Sequence, residues 1–285
     1  MRKPTAVLLL SCPDQKGVVA SIAGFIYQHG GNILHADEHG DRDSGRFLMR
    51  VEFDPAEFDI PLAEFGGRFL PIASSFGMEW RLAHSESRPR MAILVSKQDH
   101  CLVDLLYRHQ SGELDCEIPC ILSNHPDSRP IADFYRVPFF LIPVEKQDRG
   151  AAEQGIRAQL ERDRVDFLVL ARYMQILSNE LVSRYPMRII NIHHSFLPAF
   201  IGAKPYHQAF ARGVKLIGAT SHYVTEALDD GPIIEQDVVR ISHRDAVEDL
   251  VQKGRDLEKV VLSRAVRWHM ENRILVYGNK TVVFE

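Results

Sequence analysis

Strands and helices alternate along most of this chain, and that alternation restricts its fold more than any single motif. From residue 91 the strand-like runs "MAILVS", "CEIPCILSN", "VPFFLIPV", "VDFLVLARY" and "MRIINIHHS" follow one another. Helical stretches lie between several of them. "DHCLVDLLYRHQSG" is opened by the capping pattern Ser96-x-x-Asp99 and stopped at Gly112. "AAEQGIRAQLERD" precedes the fourth strand, and a short helix near Ser178 precedes the fifth. Such alternation implies a Rossmann-like, doubly wound and mostly parallel sheet of the α/β class. A long helix is expected over about residues 245–270, with Leu250, Leu257, Val261 and Ala265 on one face. The closing "ILVYGNKTVVFE" reads as a hairpin turning at Gly278-Asn279.

The first 85 residues have another order. "TAVLLLS" reads as a strand, and "DQKGVVASIAGFIYQHGG" as a helix with Val18, Ile22, Phe25 and Ile26 at helical spacing, stopped by Gly30-Gly31. "NILHADEHG" and "GRFLMRVEFD" alternate as strands around the turn cluster "DRDSG". "PLAEFGGRFLPIASSFG" is a weaker helix and "MEWRLA" a final strand. The order β-α-β-β-α-β is that of a ferredoxin-like domain. We expect a domain at 1–85, a polar linker at 86–90 within "HSESRPR", and a second domain at 91–285.

Composition removes several classes of function. The net charge of −4 gives no basic surplus for a nucleic-acid partner. No run of about 18 apolar residues is present, so no membrane span is expected. The apolar run after the basic start "MRKP" is too short for a secretory leader, so Thr5–Ser11 reads as a strand and the protein as cytoplasmic. Cys12, Cys101, Cys116 and Cys120 lack paired metal spacing and read as reduced structural thiols; no metal is expected.

Chemistry concentrates in "NIHHSFLPAF", residues 191–200, where an apolar strand runs out into an amide and two imidazoles. Polar groups there are costly unless each is paired or used. In an open parallel sheet, ligands bind beyond the carboxyl ends of the strands. Asn191 and His193 are two apart on a strand and share one face, while His194 points away unless the strand has ended. An amide suits an oxyanion and an imidazole suits proton transfer, which together serve acyl chemistry. A carboxylate from "SHYVTEALDDGPIIEQ" is the natural partner for His193, and spacing alone leaves Asp229 and Asp230 both open.

Two resemblances sharpen this reading. "CPDQKGVVASIAGFI" and "GGNILHADEH" resemble the ACT domain, an amino-acid-sensing module. That likeness implies an amino-acid effector bound near Asp14, Gly17 and Asn32, and pairing across subunits in a homo-oligomer. "LARYMQILS", "NIHHSFLPAF" and "SHYVTEALDDGPII", in that order, resemble the 10-formyltetrahydrofolate-dependent formyltransferase and hydrolase superfamily. The resemblance covers about residues 91–285 and implies a catalytic trio of Asn191, His193 and Asp229. It also implies a folate grip by Arg172, Met174, Leu177 and Val224 to Leu228, largely through backbone groups. His194 is expected to be structural or to support the site from behind, and His207 and His222 are undecided, with pocket lining preferred for His222.

Within that superfamily, an ACT domain joined to this catalytic domain is the arrangement of the formyltetrahydrofolate deformylases. They hydrolyse 10-formyltetrahydrofolate, as substrate and without a further cofactor, to formate and tetrahydrofolate. The resemblance thus implies a supply of formate to purine synthesis, a balancing of folate pools, and methionine and glycine as signals. Glycinamide ribonucleotide formyltransferases instead cradle a phosphate in a glycine-bearing loop after their first strand. Here that turn is "SKQDHC", without glycine and with Asp99, which is poor phosphate chemistry. Transfer of that kind and a non-catalytic folate or amino-acid sensor are the competing readings.

Overall fold

A computed structural model describes residues 4–84, 88–145, 149–199 and 205–284. The chain forms two compact units. The first contains β1 (Ala6–Pro13), α1 (Val18–Gln28), β2 (Asn32–Asp41), β3 (Arg46–Asp54), α2 (Phe65–Phe76) and β4 (Glu79–His84). Its four strands lie in the order β2-β3-β1-β4 and every pairing is antiparallel. This is the expected βαββαβ order. Val18, Ile22, Phe25 and Ile26 are buried on α1 as their spacing requires. They meet Phe53, Phe65 and Phe69 in one core, where Phe25 stands edge-on to Phe65 at 5.5 Å. Full burial of each such side chain contributes about 1.5–3 kcal/mol.

The second unit runs from Pro89 and contains β5 (Arg90–Val95), α3 (His100–Gln110), β6 (Glu117–Ser123), α4 (Arg129–Tyr135), β7 (Phe139–Leu141), α5 (Arg149–Arg162), β8 (Phe167–Ala171) and α6 (Asn179–Arg184). β9 (Ile189–His193), α7 (Pro205–Arg212), β10 (Leu216–Tyr223), β11 (Ile233–Arg240) and α8 (Val247–Met270) complete it. The sheet order is β11-β10-β9-β8-β5-β6-β7. β9, β8, β5, β6 and β7 are mutually parallel, whereas β10 joins β9 and β11 joins β10 antiparallel. Strands β5 and β8 are buried on both faces, as a central parallel strand covered by helices must be. On α8, Leu250, Val261 and Ala265 are buried as expected, and Gly254 and Glu258 share that face.

Three details depart from the sequence reading. Asp99, not Ser96, is the N-cap of α3, and no side chain caps the helix. Ser96 is engaged elsewhere: its hydroxyl donates to Asn124 Oδ1 at 2.7 Å and accepts from the Met174 amide at 2.9 Å. The expected linker at 86–90 lies partly outside the described residues, and Arg90 already belongs to β5. The closing hairpin forms as β12 (Ile274–Tyr277) and β13 (Lys280–Val283). Residues 271–277 and those from Val282, however, group with the first unit. Leu275, Tyr277, Val282 and Phe284 pack with Val7, Leu9 and Leu48, the side chains on the sheet face that α1 and α2 leave uncovered. Among the described residues, no helix is long and apolar enough to cross a membrane.

Candidate active site

β9 delivers Asn191 and His193 to the carboxyl edge of the sheet on one face, as their spacing of two demands. The antiparallel register of β10 then sets His222 opposite Asn191 and Thr220 opposite His193. Directly paired side chains in an antiparallel ladder stand close enough to interact. Asn191 Nδ2 lies 3.2 Å from His222 Nε2. His222 Nδ1 faces the Tyr223 carbonyl at 2.9 Å, so Nδ1 carries a proton and donates. In the neutral ring, Nε2 then accepts from Asn191 and orients its amide.

Asp229 reaches the same place from the loop after β10. Its carboxylate Oδ1 is 3.3 Å from His193 Nδ1 and 3.7 Å from His222 Nε2. The hydrogen bond from His193, and then the nearby His222 ring, hold its carboxyl well below the usual carboxylate range despite partial burial, so Asp229 is ionised at neutral pH. Its φ of +54° is a left-handed conformation that aspartate tolerates better than most residues. Asp230, the alternative that spacing left open, is exposed and offers its carbonyl to Asn279 Nδ2 at 2.9 Å.

His193 is 5% exposed. Its Nδ1 faces Asp229, while Nε2 is buried with no hydrogen-bond partner among the described residues. A buried, unpaired ring nitrogen beside an ionised carboxylate and an oriented amide is a place for a reacting group. The chain leaving His193 is held by Thr220, whose hydroxyl donates to the Ser195 carbonyl at 2.9 Å and accepts from the Leu197 amide at 3.0 Å.

The loop bearing Asp229 closes where Tyr223 N donates to Pro232 O at 2.9 Å. A Cβ on Gly231 would stand 1.8 Å from the Tyr223 carbonyl oxygen, backbone against backbone. Gly231→Ala must therefore shift the loop and carry Asp229 away from His193. Displacement of a catalytic group by about 1 Å costs on the order of 10²-fold in rate. We expect that loss in kcat, measured as steady-state turnover of a variant whose melting curve shows it folded.

The remaining expected residues fall in two groups. Leu177 is buried and packs in the core that Val224 also joins, whereas Met174 and Leu228 are exposed. Arg172 is buried at the exit of β8 with φ +63°, and its carbonyl accepts from Ser96 N at 3.3 Å. His194 follows the end of β9, with its ring 5.3 Å from that of His193 and 6.3 Å from Tyr206. Burial, then the charge of Arg172, pushes its pKa down to about 4, so it is neutral at pH 7. His207 is exposed on α7. In the first unit, Gly17 opens α1 at φ +95°, and Asp14 and Asn32 are both exposed. Sequence reasoning missed Gln98 and Glu258, which hold Arg172. A glutamate in register with the apolar face of α8 was the available signal for the second.

Comparison with known proteins gives this geometry a context. A profile of the formyl transferase family matches residues 89–266, and an ACT domain profile matches residues 6–64. A formyltetrahydrofolate deformylase of Synechocystis sp. is 56% identical over 284 residues, covering 100% of each chain. The chain belongs to the formyltetrahydrofolate deformylase family. A crystal structure of a formyltetrahydrofolate deformylase from Pseudomonas syringae superposes with a TM-score of 0.98 at 49% identity, over 100% of this chain and 96% of that one. The glycinamide ribonucleotide transformylase 1 of Symbiobacterium toebii matches at a TM-score of 0.66 and 28% identity, covering 70% of this chain. Full-length likeness thus lies with the deformylase family, and the likeness to that transferase is partial.

Proposed function

We propose that this chain hydrolyses 10-formyltetrahydrofolate to formate and tetrahydrofolate, with Asn191, His193 and Asp229 as its catalytic residues. The observation that carries the residue assignment is the open Nε2 of a His193 whose Nδ1 meets the ionised Asp229, on the strand face shared with an amide that His222 orients. The formyl carbon sits near His193 and its oxygen near Asn191. Water held by Asp229 attacks the carbon, forming a C–O bond and passing its proton to the Asp229–His193 pair. Asn191 and the imidazolium of His193 stabilise the tetrahedral oxyanion. As the C–N10 bond breaks, the electron pair stays on N10, and a proton from His193 prevents its leaving as an unstable anion. Met174, Leu177, Val224 and Leu228 with the backbone of Arg172 grip the folate.

Formate release from 10-formyltetrahydrofolate, assayed without any amine, tests the reading. Release supports it. Release only when glycinamide ribonucleotide is added would make the protein a transferase, and no release in either tube would leave a sensor. Because amide and imidazole supply the polarisation of the carbonyl, the mechanism needs no metal, and turnover should be the same before and after exhaustive chelation.

The first unit serves as a regulator of this site, with an amino acid held near Asp14, Gly17 and Asn32. A hydrolase that discards an activated one-carbon unit needs such restraint. In this reading the protein is a cytoplasmic homo-oligomer that feeds formate to purine synthesis and balances folate pools. Titrating methionine and glycine into the formate assay should change the rate with at least one of them; a flat response to both would count against the regulatory role.

A further inference from the structure

An open α/β sheet takes its ligand where the direction of strand addition reverses. Here the chain steps from β5 outward through β6 to β7, then returns to β8 on the other flank of β5. The reversal falls between β5 and β8, so the crevice is flanked by Ser96–Gln98 on one side and Arg172 on the other, one strand away from Asn191 and His193.

That crevice is filled from within. Arg172 is 7% exposed, and its Nη2 and Nε donate to Gln98 Oε1 at 3.0 and 3.2 Å. Its Nε also stands 3.5 Å from Glu258 Oε2. Glu258, 1% exposed on α8, accepts from the Tyr206 hydroxyl at 2.6 Å and lies 2.8 Å from His100 Nε2. The positive φ of Arg172 is a conformation that a long side chain rarely adopts, held here by contacts on both its backbone and its guanidinium. On the solvent side of this cluster remains a cleft of about 210 Å³ at the exits of β5, β6 and β8, walled by Gln98 and Arg172 themselves together with Lys97, Asn124 and Met174.

We propose that the Arg172–Glu258 pair, seated with Gln98 and His100 across the β5/β8 crevice, determines specificity by plugging and neutralising the place where an anionic second substrate would dock. The inference rests on the hydrolase reading above and deepens it, since with that place closed water is the acceptor left at the formyl carbon. A phosphate-bearing amine needs unmatched donors or cations at the crevice; among the described residues the buried cation there, Arg172, is already matched by a buried carboxylate, which leaves the exposed Lys97 at its rim. A metal is a poorer use of the same carboxylate. His100, Cys101 and Glu258 bring ligand atoms within 4.8 Å of one another, but a cation among them would face the Arg172 guanidinium.

Calorimetric titration of the full chain with inorganic phosphate tests the plug independently of catalysis. Glu258→Gln keeps the volume and two hydrogen bonds of the side chain but removes the neutralising charge. It should bind phosphate at least about tenfold more tightly than the unmodified protein, the gain of one charge-assisted hydrogen bond. Adding Arg172→Gly, which also suits the positive φ, should abolish that gain. Glycinamide ribonucleotide should inhibit formate release by Glu258→Gln and leave the unmodified protein unaffected. Equal phosphate affinity in the unmodified protein and a folded Glu258→Gln overturns the proposal. If Glu258→Gln does not fold, Gln98→Ala, which frees the guanidinium from its other hold, should give a smaller gain of the same sign, and no gain there also overturns it. Failure of the unmodified protein to release formate would sink the hydrolase reading alone, because the binding result stands without turnover.

Discussion

His193→Ala lowers kcat for formate release by about 10²–10⁴-fold, equivalent to roughly 2.7–5.5 kcal/mol of lost transition-state stabilisation. The expectation comes from the two faces of the ring. Nδ1 is 3.3 Å from the Asp229 carboxylate, which stabilises the imidazolium once it forms. Nε2 is buried and unpaired among the described residues, so it is the atom left to meet the substrate. An interaction that strengthens as charge develops appears in kcat rather than in KM. Asp229→Asn should give a loss of the same order, because it removes the charge that holds the imidazolium. The two residues act as one unit, so the double variant should be little worse than either single one. Steady-state kinetics on the three folded variants decides the matter. A His193→Ala protein with near-normal kcat would remove the imidazole from the mechanism, and additive losses would separate it from Asp229.

The catalytic strand was legible because its signal is local. Period-two alternation in "MRIINIHHS" sets Asn191 and His193 on one face, whatever the rest of the chain does. The βαββαβ order of the first unit was legible for a similar reason. Its helices and strands differ in apolar period, and Gly30 stops α1 with a φ of +78°. What stayed hidden is long-range. Nothing in residues 216–223 announces that β10 will pair antiparallel with β9, yet that register alone brings His222 to Asn191. The capping pattern at Ser96 failed because a hydroxyl can serve only nearby partners, and the exits of β6 and β8 supplied better ones. The closing hairpin is visible as a hairpin, but its grouping with the first unit depends on an apolar sheet face formed at the other end of the sequence, by Val7, Leu9 and Leu48.

Glu258→Ala should destabilise the second unit by about 3–5 kcal/mol, the usual cost of breaking a buried ion pair by deleting one partner. Three groups lose their contact at once: the Arg172 guanidinium, the Tyr206 hydroxyl and the His100 ring. Arg172 suffers most, since a buried guanidinium cannot shed its charge. Burial by itself pushes the Glu258 carboxyl up, but the His100 hydrogen bond, the charge of Arg172 and the Tyr206 hydroxyl outweigh it and hold the group below its ordinary value. The sign of the pH dependence follows. A carboxyl with a depressed folded-state pKa contributes stability above its unfolded value of about 4.3, and that contribution fades as pH falls through the lower folded value. The gap between Glu258→Ala and the unmodified protein should therefore be widest near neutral pH and shrink in acid. Urea titrations read at constant slope would measure it, and the slope matters because a changed one would report an altered unfolded state instead. A loss under about 1 kcal/mol at pH 7 would mean that water already relieves the cluster. The pair would then be a solvated contact of the kind that contributes little, and the closed crevice between β5 and β8 would lose its anchor.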